Sequence, residues 1–163
     1  MHRILISIIF MILAGCASSP SFDEVPTATI VIEGQSQESR VGGFCWPLGS
    51  GTMCSDPIAW PSAKAPLQVS SPVKLELIMP LPAKVKYIEY MISKVTPSDL
   101  NDYDVGPDTS LWNVPVENVQ PIKALGTQSL ELELDPGTYV LTFFGWWSGI
   151  GDSTHGFIIE VKP

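Results

Sequence analysis

The chain has 163 residues, enough for one domain and hardly for two. With 45 % apolar and 16 % charged residues it is too apolar and too weakly charged to be a disordered chain. Nine basic against seventeen acidic residues, a net charge of −8, disfavour a nucleic-acid-binding surface.

Residues 1–16 read MHRILISIIFMILAGC. His2 and Arg3 give a short basic start, and ten apolar or small residues follow at 4–13. A bilayer-spanning helix needs ~20 apolar residues. The run is instead the length of the apolar core of a secretory signal. Leu13-Ala14-Gly15-Cys16 then places small residues before a cysteine whose thiol can accept a lipid. This resembles the lipobox of bacterial lipoproteins. The resemblance implies a signal peptide at 1–15 and a palmitate-bearing Cys16. It also implies export and a lipid anchor in the cell membrane. Ala17 is not the aspartate that retains lipoproteins at the inner membrane, so a Gram-negative host would permit sorting to the outer membrane. Residues 16–27 read as the lipidated cysteine and a small, polar, flexible tether, and the folded domain as 28–163.

Three cysteines leave Cys45 and Cys54 once Cys16 is lipidated. Eight residues, WPLGSGTM, separate them. Pro47, Gly49 and Gly51 favour a chain reversal there, and a hairpin would bring the two thiols within bonding distance in an oxidising compartment. A zinc site would need further ligands, and beyond His2 the chain has only His155.

The fifteen prolines and thirteen glycines favour short strands and turns over long helices. In chain order, 28–33 is β-rich. Residues 39–46 read as extended, with Gly42 and Gly43 marking a bulge or a close approach. Residues 55–66 hold three prolines and no clean period, and read as loop. Residues 73–79 alternate, with Val73, Leu75, Leu77 and Met79 on one face, and Pro80 and Pro82 stop them. Residues 84–93 read as strand with Ile88, Tyr90 and Ile92 inward. Residues 96–113 read as an acidic loop. Residues 128–135 alternate, with Leu130, Leu132 and Leu134 inward. Residues 137–148 are aromatic and nearly continuous, as in a central strand. Residues 153–162 close the domain with Phe157, Ile159 and Val161 inward. About seven or eight short strands predict an all-β, immunoglobulin-like two-sheet sandwich. Asp135-Pro136-Gly137-Thr138-Tyr139 has the form of a tyrosine corner leading into the sixth strand of such a sandwich.

Candidate chemistry is sparse. Ser71-Pro72-Val73-Lys74 matches Ser-x-x-Lys, but that motif needs a helix, whereas a strand follows here, and its companion motifs are absent. A serine hydrolase would rest on His155, and no Gly-x-Ser-x-Gly elbow presents a nucleophile; a lone histidine near a strand start reads as a surface residue. The sequence therefore favours a protein without catalytic residues or cofactor. Asp99, Asn101, Asp102, Asp104 and Asp108 place oxygen ligands at near-alternate positions, a weak calcium candidate without the EF-hand glycine and glutamate; a solvated acidic loop is the plainer reading. Trp146 and Trp147 are adjacent on a strand and so point to opposite faces, one into the core. The other, with Trp60 or Trp112, is a candidate contact for a sugar ring or a protein partner.

Gly43-Phe44-Cys45-Trp46 with Cys54-Ser55-Asp56-Pro57, and Gly137-Thr138-Tyr139, Trp147, Gly151-Asp152 and Phe157-Ile158-Ile159-Glu160-Val161, resemble small lipoproteins of Bacillus-like bacteria. The resemblance implies an extracytoplasmic immunoglobulin-like sandwich with a local disulfide, and carries no activity. The sequence-level expectation is a lipid-anchored, non-catalytic β-sandwich that binds or modulates an envelope protein or glycan. A carbohydrate- or peptidoglycan-binding module is the first alternative, and a hydrolase centred on His155 the remote one.

Overall fold

The protein is described by a computed structural model that covers residues 21–55, 65–95, 120–123 and 127–163. Among the described residues eleven strands form two sheets. In chain order they are β1 (Thr29–Ile32), β2 (Gln35–Glu38), β3 (Arg40–Leu48), β4 (Gly51–Ser55), β5 (Leu67–Val69), β6 (Val73–Ile78), β7 (Val85–Val95), β8 (Gln120–Lys123), β9 (Thr127–Leu132), β10 (Gly137–Trp147) and β11 (Gly151–Val161). The smaller sheet has the order β2-β1-β6-β9. The larger has β4-β3-β11-β10-β7-β8, with β5 added alongside β11.

The protein is an all-β sandwich. β1, β6 and β9 face β7, β10 and β11 with the connectivity of strands A, B, E and C, F, G of an immunoglobulin domain. The tyrosine corner is in place at the entry to β10, where the Tyr139 hydroxyl donates to the Asp135 carbonyl at 2.9 Å. The strands missed in the sequence are β2, β5 and β8, whose QSQE, LQV and QPIK are too short or too polar to show a period.

Alternation sets the core. Ile30 and Ile32 of β1 and Val73, Leu75 and Leu77 of β6 meet Leu141, Phe143 and Trp147 of β10 and Phe157, Ile159 and Val161 of β11. Ile88, Tyr90 and Ile92 oppose Gly145, Phe143 and Leu141 in register, so the predicted inward set of β7 is the inward set. Trp46 and Trp147 cross edge to face at 4.9 Å, and Phe22 adds a third ring against Trp46 at 5.6 Å. The Trp147 indole N–H donates to the Pro80 carbonyl at 2.8 Å, which satisfies its one polar group inside the core. Gly145 makes room for this indole: a Cβ there would lie 2.5 Å from both the Trp147 ring and the Met79 methyl.

Phe22 corrects the expected tether. From Ser21 onward the chain is docked, not loose. Phe22 N–H donates to Pro47 O and Gly49 N–H to Phe22 O, at 3.1 and 3.0 Å, and Phe22 and Val25 pack on the core. The cause is the apolar surface of Trp46, which β3 leaves uncovered on that side. The bulge read at Gly42 and Gly43 is present. β3 pairs Phe44 with Ser153 but Val41 with His155, so one extra β3 residue is absorbed there.

Cys45 and Cys54 face each other across the β3–β4 hairpin and are disulfide-bonded. Ser71 and Lys74 do not form a catalytic pair: Ser71 Oγ accepts from Leu134 N–H, and Lys74 lies 3.4 Å from Glu131 on the exposed face.

Two stability outcomes follow. Gly145→Ala forces a buried indole to move and is expected to cost about 1–3 kcal/mol in urea unfolding. Cys45→Ala opens the hairpin loop and is expected to cost ~2–3 kcal/mol. The wild-type melt should fall in reductant while that of the variant does not.

Candidate functional site

Two groups of polar and aromatic residues emerge from this architecture, one on the surface and one sealed inside.

The surface group is a row across the outer face of the larger sheet. Register places Cys54, Cys45, Asp152, Trp146 and Tyr87 side by side, one from each of β4, β3, β11, β10 and β7. Trp146 points outward because Trp147 points inward, and their strand cannot bury both. Trp146 is 43 % exposed and Tyr87, its cross-strand partner, 38 %. A β-bulge between Trp146 and Trp147 re-aims the end of this strand pair. The Tyr87 hydroxyl donates to Glu89 Oε1, and that bond holds the phenol protonated, with its pKa above the usual value. Carboxylates thus stand on both sides of the aromatic pair: Asp152 directly opposite Trp146, and Glu89 on the phenol. Further along the same face Thr142, Ser93, Val140 and Ile158 are buried, although Val140 and Ile158 lie outside the core cluster. Among the described residues the Ser93 and Thr142 hydroxyls find no hydrogen-bond partner.

The sealed group centres on His155. It is not the surface residue expected from the sequence: it is 0 % exposed, because alternation along β11 turns it inward with Ser153 and Phe157. Ser39 Oγ lies 2.9 Å from its Nδ1 and Ser153 Oγ 2.8 Å from its Nε2. Ala28 N–H already donates to Ser39 Oγ at 2.8 Å, so the Ser39 hydrogen is free to point at Nδ1, and Nε2–H then donates to Ser153. A neutral ring is satisfied at both nitrogens. Burial lowers the His155 pKa to about 3. Both ring partners are serines rather than a carboxylate, and solvent does not reach the ring, so the hydrolase geometry considered for His155 is not assembled.

Several candidates from the sequence lie outside the described residues: Cys16, Trp60, Trp112, and the acidic group Asp99, Asn101, Asp102, Asp104 and Asp108. Among the described residues no three His, Cys, Asp or Glu side chains cluster as metal ligands do. Tyr87 was missed in the sequence. Its signal was available only through register, since 84–93 gives no hint of which β10 residue Tyr87 faces.

No protein-family model matches the chain, and no curated protein matches it. Among solved structures it is similar to the soluble domain of PmoD from Methylocystis sp. ATCC 49242 (Rockwell). That likeness has 15 % identity and a TM-score of 0.39, over 77 % of this chain and 91 % of that one.

The histidine gives a pH dependence with a definite sign. Its folded pKa lies below the ordinary unfolded value of 6.5, so the unfolded chain binds the proton first as pH falls. The stability tied to the neutral ring is full above 6.5 and is lost as pH drops toward about 3. Unfolding free energy should fall by up to about 1.4 kcal/mol per pH unit between the histidine and carboxylate ranges. His155→Gln should flatten that limb in denaturant titrations at stepped pH.

Proposed function

We propose that the protein is a lipid-anchored, extracytoplasmic, non-catalytic β-sandwich that binds an envelope component through the outer face of its larger sheet. The observation that carries this reading is the pair Trp146 and Tyr87, exposed and opposed in register on neighbouring strands. A large aromatic side chain on a rigid sheet loses little entropy on binding and supplies much contact area, which is why such residues dominate binding energetics. The N-terminal pattern ending at Cys16 supports the anchor, and the Cys45–Cys54 disulfide accords with an oxidising compartment. Phe22 ties the first described residues to the body of the domain, so a lipid on Cys16 would hold the sandwich close to its membrane.

A second reading, a saccharide-binding module, is favoured by the carboxylates that flank the aromatic pair. An indole or phenol ring offers a flat apolar face to a pyranose ring, and Asp152 and Glu89 are acceptors for sugar hydroxyls.

Mass spectrometry of the membrane-extracted protein tests the anchor: an acylated N-terminal Cys16 is expected, and an unmodified chain starting elsewhere would end that part of the reading. Binding is tested by intrinsic fluorescence of the full chain in detergent, titrated with peptidoglycan fragments, a neutral glycan panel and purified envelope proteins. Trp46 and Trp147 are buried, so a saturable shift lost in Trp146→Ala would report the outer face. The substitution should weaken binding by about 2 kcal/mol and change stability by less than about 0.5 kcal/mol. A response unchanged in Trp146→Ala would remove the outer face from the site.

A further inference from the structure

We infer that the outer face at Trp146 takes a cationic group, and that its occupant is an arginine-bearing segment of a partner protein, with the guanidinium stacked on the Trp146 indole and forked onto the Asp152 carboxylate. The inference rests on the binding reading above and gives the chemistry of that partner.

Register builds the site. Trp146 pairs with Asp152 of β11 on one side and with Tyr87 of β7 on the other. Phe144, two residues back on the same face, pairs with Thr154 and Glu89. Directly opposed residues on neighbouring strands hold their Cβ atoms about 5 Å apart. Each of the three rings therefore has a carboxylate beside it: Asp152 by Trp146, Glu89 by Phe144, and Glu89 again as acceptor from the Tyr87 hydroxyl. Trp146 and Tyr87 are exposed, and Phe144, Asp152 and Glu89 are partly so.

Asp152 decides the sign of the ligand. Its register partner on the other side is Cys45, whose sulfur is in the disulfide, and the next residue of β11 on this face is Thr154. None of these neighbours is basic. Among the described residues no side chain donates to the Asp152 carboxylate, and neither ion pair includes it. The basic residues nearest in register are Lys86, in the bulge before Tyr87, and Lys123 of β8, opposite Tyr87. Both lie on the far side of Trp146 from Asp152. A partly buried carboxylate has lost part of its hydration, and a donor of opposite charge replaces it.

The other groups of the patch also select a donor. Asp152 and Glu89 only accept, and the Tyr87 hydroxyl already donates to Glu89, which leaves the Trp146 indole N–H and the Thr154 hydroxyl as donors. A guanidinium is complementary, with N–H donors and no acceptor. Indole is the best aromatic face for a cation. A planar guanidinium lies flat on it and still directs two N–H groups at a neighbouring carboxylate, which the compact lysine ammonium does not do. The net charge of −8 acts the same way at longer range, drawing a basic partner and repelling an acidic one. A neutral saccharide would use the rings but gain nothing from this field. The rings stand on the face of a sheet, where a side chain carried by a protein surface can reach them, whereas free small molecules are held in concave sites.

The test titrates the full, isotope-labelled chain in detergent with three peptides: acetyl-Gly-Arg-Gly-amide and its counterparts with lysine and with citrulline, the neutral isostere of arginine. The readout is the indole N–H resonance of Trp146, assigned by its disappearance in Trp146→Phe. The arginine peptide should shift this resonance saturably and bind at least about fivefold tighter than the citrulline peptide, with the lysine peptide between them. Asp152→Asn should remove most of that preference. Glu76→Gln, at an exposed carboxylate on the smaller sheet, also removes one charge and should leave the preference unchanged. An absent shift, equal affinity for the arginine peptide and either counterpart, a preference that survives Asp152→Asn, or an equal loss in Glu76→Gln would each overturn the inference. An envelope component whose binding is lost in Trp146→Ala, but which ignores both Asp152→Asn and competition by the arginine peptide, would end this inference and leave the binding reading standing.

Discussion

The outer edge of β11 is the constraint on which the rest of the structure depends. This strand carries core side chains along eleven residues, yet no single neighbour covers its far edge. β3 pairs antiparallel with it from Asp152 to Gly156, and β5 pairs parallel from Ile159 to Val161. Between them Ile158 would be left with bare backbone groups. The Gln37 side chain fills the gap: Ile158 N–H donates to its Oε1 at 3.0 Å, and its amide N–H donates to the Ile158 carbonyl at 3.3 Å. A side-chain amide thus takes the place of one residue of strand, and a buried polar pair that would otherwise cost a few kcal/mol is satisfied.

The same seam explains the histidine. Ser39 sits where the chain leaves the smaller sheet after β2 and enters the larger one as β3. Its hydroxyl joins the Ala28 backbone to His155, and its own N–H bonds the Ala28 carbonyl at 2.8 Å. Ser39, His155 and Ser153 therefore form a fully buried polar bridge at the point where both sheets share one segment of chain. Such a bridge is worth having only when every member is bonded, and it disfavours other alignments of β3 on β11. The bulge at Gly42 and Gly43 is part of the same arrangement, since it sets which β3 residues face inward beyond it, and Phe44 and Trp46 enter the core as a result.

Burying the interior in this way leaves the surface to the residues that alternation excludes. Trp146 is outward because Trp147 must be inward over Gly145. Cys45 is outward because Trp46 and Phe44 are inward, and so the disulfide lies on the outer face with Trp146 and Tyr87. The candidate binding row is thus a consequence of core packing one residue out of phase, and its rigidity comes from the same ladders that hold the core.

Much of this was legible in the sequence, and for a physical reason. A period of two over apolar strands is strong, so the inward sets of β6, β7, β9 and β11, the tyrosine corner and the Cys45–Cys54 bridge follow from local pattern alone. Which of two adjacent tryptophans is buried does not, because periodicity defines two faces without saying which one meets the second sheet. Nor does the burial of His155: a histidine next to a serine has no local signature, and its second partner, Ser39, is 116 residues away. The pairing of Trp146 with Tyr87 depends on register between strands distant in the chain. Residue identity determined which side chains prefer the interior. Only the tertiary pairing decided which of the remaining groups stand next to one another at the surface.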